Sequence, residues 1–243
     1  MENKNYALAF GILAASIIIA TLIGGMFFLK IKRGGDVISV TGSAKVSITS
    51  DSAKYTADLS RVVTEGSVKD GYAQIAKDVS VVQKTLTDAG LQLSEFTFTT
   101  ASLNENYNYD SNGHPILPKT YTIRQMLTVS STNLDAMKKF ADNTSVIANE
   151  GVLLQNASLQ YFYSKLPDLR IELLGKAVAD AKNRAAVIAK ESGSHLGTLQ
   201  SASSGVVQLL APNSVDVEDY GAYDTSTKDK DVMMTVRTTF RLR

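Results

Sequence analysis

The sequence predicts a single N-terminal transmembrane helix followed by an α+β domain, in which helices pack on an antiparallel or mixed sheet. The first observation is the run of residues 6–29, which contains no charged side chain. The second is the alternation, after Gly34, of strand-like segments of period two with segments of helical period. Such a mixture predicts helices layered on a sheet. We therefore assign residues 1–33 to the anchor with its basic flank and residues 34–243 to the domain.

The apolar run is long enough to cross a bilayer. As a helix, residues 6–29 reach roughly 36 Å, which exceeds the ~30 Å hydrocarbon core. A cleaved signal peptide is the alternative, but such peptides have shorter apolar runs that end in a small-residue cleavage site. Here four apolar residues, 26–29, follow the small pair at Gly24, so we expect an uncleaved anchor.

Small residues recur at every fourth position of this run, a spacing that lets helices approach closely in lipid. Small residues are also common in such spans without any packing role. The predicted helix-packing positions are Ala7, Gly11 and Ala15 on one line and Ser16, Ala20 and Gly24 on another.

The composition of the domain excludes several classes of function. Residues 34–243 carry 21 Lys and Arg against 23 Asp and Glu, so they offer no basic field for nucleic acid. The chain has no cysteine, which excludes disulfides, thiolate nucleophiles and zinc–cysteine sites.

The first half of the domain is predicted as two strands, a helix and a third strand. Residues 37–41 and 45–49 alternate, with Gly42 between them as a bend or bulge, and residues 55–64 read as the partner strand. A helix follows over residues 67–89, capped by Gly90, and a strand over residues 96–103. The predicted apolar stripe of this helix is Tyr72, Ile75, Ala76, Val79, Val82 and Leu86.

The middle of the chain predicts a long hairpin with a polar tip at residues 104–119, returning along residues 121–130. Asn133 or Thr132 then caps a helix that extends to Ile147, and a strand covers residues 153–163. The order strand, helix, glycine, strand at residues 55–102 thus recurs at residues 121–163, which suggests an internal duplication.

The last third predicts a long helix over residues 167–192, strands at residues 200–210 and 232–242, and an acidic loop at residues 215–231. The long helix has a narrow stripe of small residues, which implies close packing on the sheet. Its members are Leu173, Ala177, Ala181, Ala185 and Ile188.

Five features follow one another along the chain: VISVTGSAKV, Asp51 ahead of the second strand, DAGLQLSEFTFTT, the pair Tyr107 and Tyr109, and AVADAKNRAAVIAKESGSHLG. In these segments and their order the chain resembles the bacterial SIMPL-domain family, whose function is poorly defined. The resemblance covers residues 36–243 and extends to exported, periplasmic immunogenic-type proteins. It implies an exported α+β domain, and some members assemble into ring- or cage-like homo-oligomers. The family supplies no agreed catalytic residues, and this chain departs from soluble members in its predicted permanent anchor.

The flanking charges and the resemblance disagree on orientation. Lys30, Lys32 and Arg33 would place the domain in the cytoplasm under the positive-inside rule. The resemblance implies export. We expect a single-pass inner (cytoplasmic) membrane protein with residues 34–243 facing the periplasm or exterior, and the orientation stays open at this point.

No catalytic motif is present, and we expect neither enzymatic activity nor a metal or cofactor. His114 and His195 have no companion at ligand spacing, and the acidic loop lacks EF-hand spacing. Four tyrosines in polar loops are the candidate oligomer contacts, because tyrosine is enriched at interfaces. They are Tyr107 and Tyr109 on the hairpin and Tyr220 and Tyr223 in the acidic loop. The alternative is that each tyrosine lies flat on its own domain.

The function predicted from the sequence is therefore a membrane-anchored, non-enzymatic envelope protein that self-assembles through residues 104–119 and 215–231. The partners are the membrane and further copies of the chain, without nucleic acid. The alternative is a tethered monomeric module that binds a ligand or partner, which predicts a concave apolar pocket between helix and sheet. A hydrolase is the third possibility, and it predicts a carboxylate or histidine of strongly shifted pKa inside a cleft.

Overall fold

The computed structural model describes residue 11 and residues 13–26, 36–107, 109–114, 116–214 and 221–243. The chain divides into two compact units. The terminal unit comprises Met1–Ala44, Leu174–Gly205 and Met234–Arg243, and the central unit comprises Lys45–Leu173 and Val206–Met233. The prediction that residues 34–243 form one domain stays a prediction.

The elements follow one another in mixed order. The strands are β1 Val37–Thr49, β2 Ser52–Thr64, β3 Phe96–Phe98, β4 Ser102–Asn106, β5 Thr120–Ser131, β6 Leu154–Phe162, β7 Leu196–Ser204, β8 Gln208–Leu210 and β9 Asp229–Leu242. The helices are α1 at residues 13–26, α2 Val68–Asp88, α3 Leu134–Asp142, α4 Thr144–Asn149 and α5 Leu166–Glu191.

The central unit is built on a five-stranded sheet in the order β3-β5-β2-β6, with β4 also paired to β5. β2 lies antiparallel to both β5 and β6. α2 follows β2, and α3 and α4 follow β5, so strand–helix–strand occurs twice. This order of strands is that of the ferredoxin-like split βαβ arrangement. The predicted α+β class and the antiparallel sheet are confirmed.

One face of this sheet forms the core with α2, α3 and α4. Alternate residues of β2 and β5 point into it, as the two-residue period of a strand requires. Its members include Tyr55, Leu59, Ile75, Val82, Leu86, Leu127, Met137, Phe140 and Ile147. The rings of Tyr55 and Phe140 meet edge to face at 5.2 Å.

The buried stripe of α2 differs from the predicted one. Tyr72 and Ala76 are exposed, and Gly71 and Asp78 lie in the stripe instead. Gly71 belongs there because a Cβ at this position would lie 2.6 Å from Ile123 Cδ1, so the helix approaches the sheet closely. The predicted Ile75, Val82 and Leu86 are buried and Val79 packs on the core, so the predicted face is correct in most of its positions. Hydrophobicity did not predict Gly71 and Asp78 because neither residue is large and apolar.

The terminal unit contains residues 37–44 of β1, β7, residues 234–242 of β9 and residues 174–191 of α5, and its strand order is β1-β9-β7. Gly42 lies within β1, which covers both predicted segments, and a bend or bulge at this position stays a prediction. A Cβ on Gly42 would lie 2.3 Å from the Ala177 carbonyl oxygen, so the glycine permits close helix packing. Ala189 rather than the predicted Ile188 completes the buried stripe of α5, because the stripe keeps a strict four-residue step.

Three predicted elements are divided. The strand predicted at residues 96–103 is β3 and β4, and the one at residues 200–210 is β7 and β8. The helix predicted to reach Ile147 ends at Asp142, and a short helix restarts at Thr144. The predicted caps are confirmed, since Asn133 accepts a hydrogen bond from the Ala136 N–H and Gly90 has a φ of 100°.

Residues 13–26 are helical, and their large apolar side chains are exposed. The Ser16 and Thr21 hydroxyls donate hydrogen bonds back to carbonyls of the same helix. Of the predicted packing positions, Gly11, Ala15, Ser16, Ala20 and Gly24 are helical, whereas Ala7 and the ends of the apolar run lie outside the described residues.

Within the part of the chain that the structure describes, no helix combines the length and the apolar character needed to cross a membrane.

Candidate contact surface

The predicted hairpin is formed by β4 and β5 in the central unit. Ser102 to Asn106 pair with Arg124 to Thr120 in antiparallel register. Near the open end, Lys119 Nζ lies 2.9 Å from Glu105 Oε1, and this partner raises the pKa of Lys119. Between the two strands, the described residues 107, 109–114 and 116–119 lie outside both strands of the hairpin, as the sequence predicted for its polar tip.

Asp110 organises the turn within this loop. Its Oδ1 accepts hydrogen bonds from the N–H groups of His114 at 2.8 Å and Asn112 at 2.9 Å. The Gly113 N–H donates to the Asp110 carbonyl oxygen, and Gly113 has a φ of 81°, which glycine adopts without strain. The His114 N–H, helped by that of Asn112, lowers the pKa of the Asp110 carboxyl, so this side chain stays ionised at neutral pH.

Large apolar side chains are exposed around this turn. Tyr107 and Leu117 are each 74% exposed, and Tyr109 and Ile116 are more than half exposed. We call these four residues the hairpin tip. Sequence reasoning predicted the two tyrosines and missed Ile116 and Leu117, although both follow a turn in an otherwise polar loop.

The described part of the acidic loop, residues 221–231, includes the start of a strand. β9 begins at Asp229, and Asp231 is held inside the unit by Lys45 Nζ at 2.7 Å and Ser47 Oγ at 2.6 Å. Tyr223 is half exposed and pairs as an isolated bridge with Leu209. Tyr220 lies outside the described residues. Ring contacts in the described part join Tyr55 to Phe140 and Phe96 to Phe98, so none brings Tyr223 to Tyr107 or Tyr109.

Asp224 and Lys230 hold this loop in place. Burial acts to raise the pKa of Asp224, but hydrogen bonds from Ser226 and Thr227 prevail and lower it to about 2. Lys230 is buried, donates to the Thr227 carbonyl oxygen and lies 3.8 Å from the Asp224 carboxylate. Burial lowers the pKa of this lysine. Several of the clustered acids are thus structural.

Two buried carboxylates escaped sequence reasoning. Asp78 of α2 receives two hydrogen bonds from Arg61 of β2, at 2.7 and 2.8 Å, and Arg61 also donates to the Gly151 carbonyl. Asp58 accepts from Arg124 and from Asn156, and the Arg124 hydrogen bond lowers its pKa. The only local signal for a buried carboxylate was the position of Asp78 in α2, three residues after Ile75 and four before Val82, which places it on the buried stripe.

The central unit carries a groove of about 530 Å³, lined by Ser52, Ala53, Lys54, Glu95, Ser130, Ser131, Thr132 and Phe162. Ser131 Oγ donates to Glu95 Oε1 at 2.5 Å there. This groove lies at a sheet end. The apolar pocket between helix and sheet that a binding module predicts has one counterpart among the described residues, a groove of about 500 Å³ between β1 and α5 in the terminal unit. In the central unit, the space between the helices and the sheet is filled by core side chains.

No group of three His, Asp or Glu side chains that could hold a metal ion occurs in the described ranges. His195 bonds through its backbone to Arg243, and His114 belongs to the Asp110 turn. The predicted absence of enzymatic activity stays a prediction.

Comparison with known proteins gives one family match. The family model for SIMPL, described as a protein of unknown function (DUF541), matches residues 38–240. No curated protein matches the chain. Among solved structures, AtUAH in complex with glyoxylate is 14% identical, over 56% of this chain and 31% of that chain, with a TM-score of 0.24. A hydantoinase/carbamoylase-family amidase from Burkholderia phymatum is 10% identical, over 51% and 30% respectively, with a TM-score of 0.24. The chain thus spans about a third of the length of these structures.

Proposed function

This chain belongs to the SIMPL family, and on that premise we propose that it is a membrane-anchored protein of the cell envelope that assembles with copies of itself. Residues 1–33 hold it in the inner membrane, and residues 34–243 face the periplasm or the exterior. The domain acts as a non-enzymatic scaffold. The observation that carries this proposal is the hairpin tip, where four large apolar side chains are exposed on one loop.

Exposure at the tip is costly in a monomer. Burying a side chain such as Leu117 stabilises an interface by about 1.5–3 kcal/mol, and tyrosine adds a hydroxyl that can bond at an interface rim. Soluble monomers seldom expose large contiguous apolar patches without a use for them. Anchors that confine several copies to one plane raise their effective concentration, so weak tip contacts suffice for assembly.

Two features of α1 support the anchor. Its large side chains, among them Ile18 and Leu22, are exposed, which suits contact with lipid. Its polar hydroxyls, Ser16 and Thr21, donate to carbonyls of their own helix, so each is satisfied without water. The residues of the predicted 6–29 span on either side of α1 carry no charge.

Assembly is tested by comparing two leucine variants of the full-length protein in detergent. Leu117 at the tip and Leu93 elsewhere on the central unit are 74% and 71% exposed, so Leu93→Ser is a matched control for Leu117→Ser. We expect Leu117→Ser to raise the dissociation constant of self-association, measured by light scattering, by about tenfold or more. Wild-type protein that stays monomeric across micromolar concentrations would refute self-assembly.

Location is tested separately. We expect the protein to stay in the membrane pellet after alkaline carbonate extraction and a chain lacking residues 1–33 to be released. In intact spheroplasts, added protease should digest residues 34–243. Protection of the domain in spheroplasts would place it in the cytoplasm, as the charges of Lys30, Lys32 and Arg33 favour.

A tethered binding module is the second candidate, and the groove of the central unit lined by Lys54 and Glu95 supports it. Lys54 and Glu95 place an ammonium and a carboxylate on one groove, which suits a small zwitterion such as an amino acid. Isothermal titration of wild type and Lys54→Gln with the standard amino acids tests this. Heat of binding in the wild type that the variant loses would favour this function over scaffolding.

A further inference from the structure

The sheet of the terminal unit has α5 on one of its faces. On that face Val40 of β1 and Phe240 of β9 pack with Ala185 of the helix. Because the side chains of a strand alternate between the two faces, the residues on either side of Phe240 point away from α5. The hydroxyl oxygens of Ser39 and Thr239 lie 2.8 Å apart, so the odd-numbered residues of β1 and β9 share this second face. We call it the open face.

Three arginines lie on the open face without a partner. Arg237, Arg241 and Arg243 are all exposed and are separated by even numbers of residues. Among the described residues, none of their side chains takes part in an ion pair or a hydrogen bond, whereas Arg184 of α5 is paired with Asp180 at 2.8 Å. The strand residues of the terminal unit contain no Asp or Glu that could pair with them: 37–44, 196–204 and 234–242.

The two units carry opposite net charge. Residues 36–44, 174–205 and 234–243 of the terminal unit contain seven Lys and Arg against three Asp and Glu. Residues 45–173 and 206–233 of the central unit contain 14 Lys and Arg against 20 Asp and Glu. The near-neutral charge of the whole domain thus conceals a basic unit, which attracts anions.

We infer that the open face docks on the anionic phospholipid headgroups of the membrane that holds the chain. This inference rests on the anchor of the proposed function. At most ~30 Å of extended chain separates Leu29, where the predicted span ends, from Val37, where β1 begins. The tether therefore keeps the terminal unit within reach of the headgroups, and its own basic side chains, Lys30, Lys32 and Arg33, favour the same lipids.

The spacing of the arginines selects a surface rather than a small ligand. Arg237 and Arg243 are six residues apart, roughly 20 Å along a strand, so one phosphate cannot contact both. A guanidinium group binds phosphate oxygens through two parallel hydrogen bonds. The exposed hydroxyls of Ser201 and Ser203, which pair with Thr239 and Arg237, add further donors on this face. A layer of phosphodiester headgroups offers acceptors for all of them in one plane.

The absence of cysteine allows a test with a single fluorescent label on full-length protein in vesicles. Ser203→Cys places the label on the open face, and Val187→Cys, at a position that is 61% exposed, places it on α5 as a control. Quenching by a spin-labelled headgroup reports contact with lipid. We expect stronger quenching at residue 203 than at residue 187 in vesicles that contain phosphatidylglycerol. The difference should vanish in phosphatidylcholine alone, and also at 1 M salt, where the Debye length is ~3 Å.

Charge variants of the Ser203→Cys protein test the arginines themselves. Each basic side chain near an anionic surface strengthens binding by about fivefold, so Arg237→Gln/Arg241→Gln should lower the ratio of docked to undocked copies by about 25-fold. The matched control Lys182→Gln/Lys190→Gln removes the same charge from α5 and should leave that ratio nearly unchanged. All four side chains are exposed, so both double variants should unfold at the wild-type urea concentration.

The outcomes separate this inference from the proposed function. Protein that does not float with the vesicles in a density gradient would overturn the anchor and the docking together. Protein that floats but is quenched equally at residues 203 and 187 would overturn the docking and leave the anchor standing. Quenching at residue 203 that is as strong in phosphatidylcholine, or that survives loss of the arginines, would also overturn it. So would energy transfer between copies labelled at residue 203 that replaces quenching as protein density rises, because a second copy would then cover the face.

Discussion

Replacing Gly42 by alanine tests how closely β1 packs on α5 in the terminal unit. The new Cβ would lie 2.3 Å from the Ala177 carbonyl oxygen and 2.4 Å from the Ala181 nitrogen, whereas ordinary contact begins at 3.4 Å. Both are backbone atoms, so no rotamer change relieves the clash, and α5 must move away by roughly 1 Å in a close-packed interior. We expect Gly42→Ala to lower the free energy of unfolding by about 3 kcal/mol, the upper end of the usual range for overpacking.

The assay is urea unfolding of the full-length protein in detergent, followed by far-ultraviolet circular dichroism and analysed by linear extrapolation. Apart from Tyr6, every tyrosine lies within the ranges of the central unit, so the near-ultraviolet tyrosine signal serves as an internal reference for that unit. Gly175→Ala is the matched control on α5, because its Cβ would have no heavy atom within 4 Å. We expect this control to stabilise the protein by about 0.5–1 kcal/mol, the usual gain for removing a helical glycine. Equal midpoints for Gly42→Ala and wild type would refute the close approach.

Three further predictions concern the central unit. Arg61→Leu should lower the free energy of unfolding, measured in urea, by about 3–5 kcal/mol because it leaves the buried Asp78 without its cationic partner. The double variant Arg61→Leu/Asp78→Leu should recover most of that loss. The pKa of Asp224 is about 2 in the folded chain against an ordinary 3.8, so the stabilisation that its carboxylate contributes is present above pH 3.8 and is lost as the pH falls toward 2. Between pH 3.8 and 2, the urea midpoint of Asp224→Asn should therefore fall less steeply with pH than that of the wild type. Equal dependence of the two midpoints on pH would contradict this role of Asp224. Gly90→Ala should lower the free energy of unfolding by about 1–3 kcal/mol because φ is 100° at this position. A Cβ on Gly66 would lie in open space, so the control Gly66→Ala should change the urea midpoint little.

Elements specified by short-range signals were predicted well. The helix predicted at residues 67–89 is α2, Val68–Asp88, because a 3.6-residue period and the glycine that ends it are both local. The hairpin at residues 104–119 was predicted for the same reason, since Asn112 and Gly113 favour reversal wherever they occur. The family was identified from the order of such segments.

Breaks inside elements were not predictable in this way. Residues 134–147 keep one apolar pattern, yet α3 ends at Asp142 and α4 begins at Thr144. The strand predicted at residues 200–210 breaks at Gly205, where a Cβ would lie 2.5 Å from Thr235 Oγ1, an atom far away in sequence. Contacts between distant segments decide such breaks, and no window of neighbouring residues contains them.

By itself, the sequence determined the α+β class, the uncharged run of residues 6–29 and the polar loop that carries Tyr107 and Tyr109, because composition and period act within a few turns of chain. Only the tertiary structure decided which side chains of that loop face water, adding Ile116 and Leu117, and which acids are structural. It alone brought Val40 of β1 beside Val187 of α5 to make an apolar groove. The physical reason is that exposure depends on what packs against a residue, and the partners here are more than a hundred residues apart.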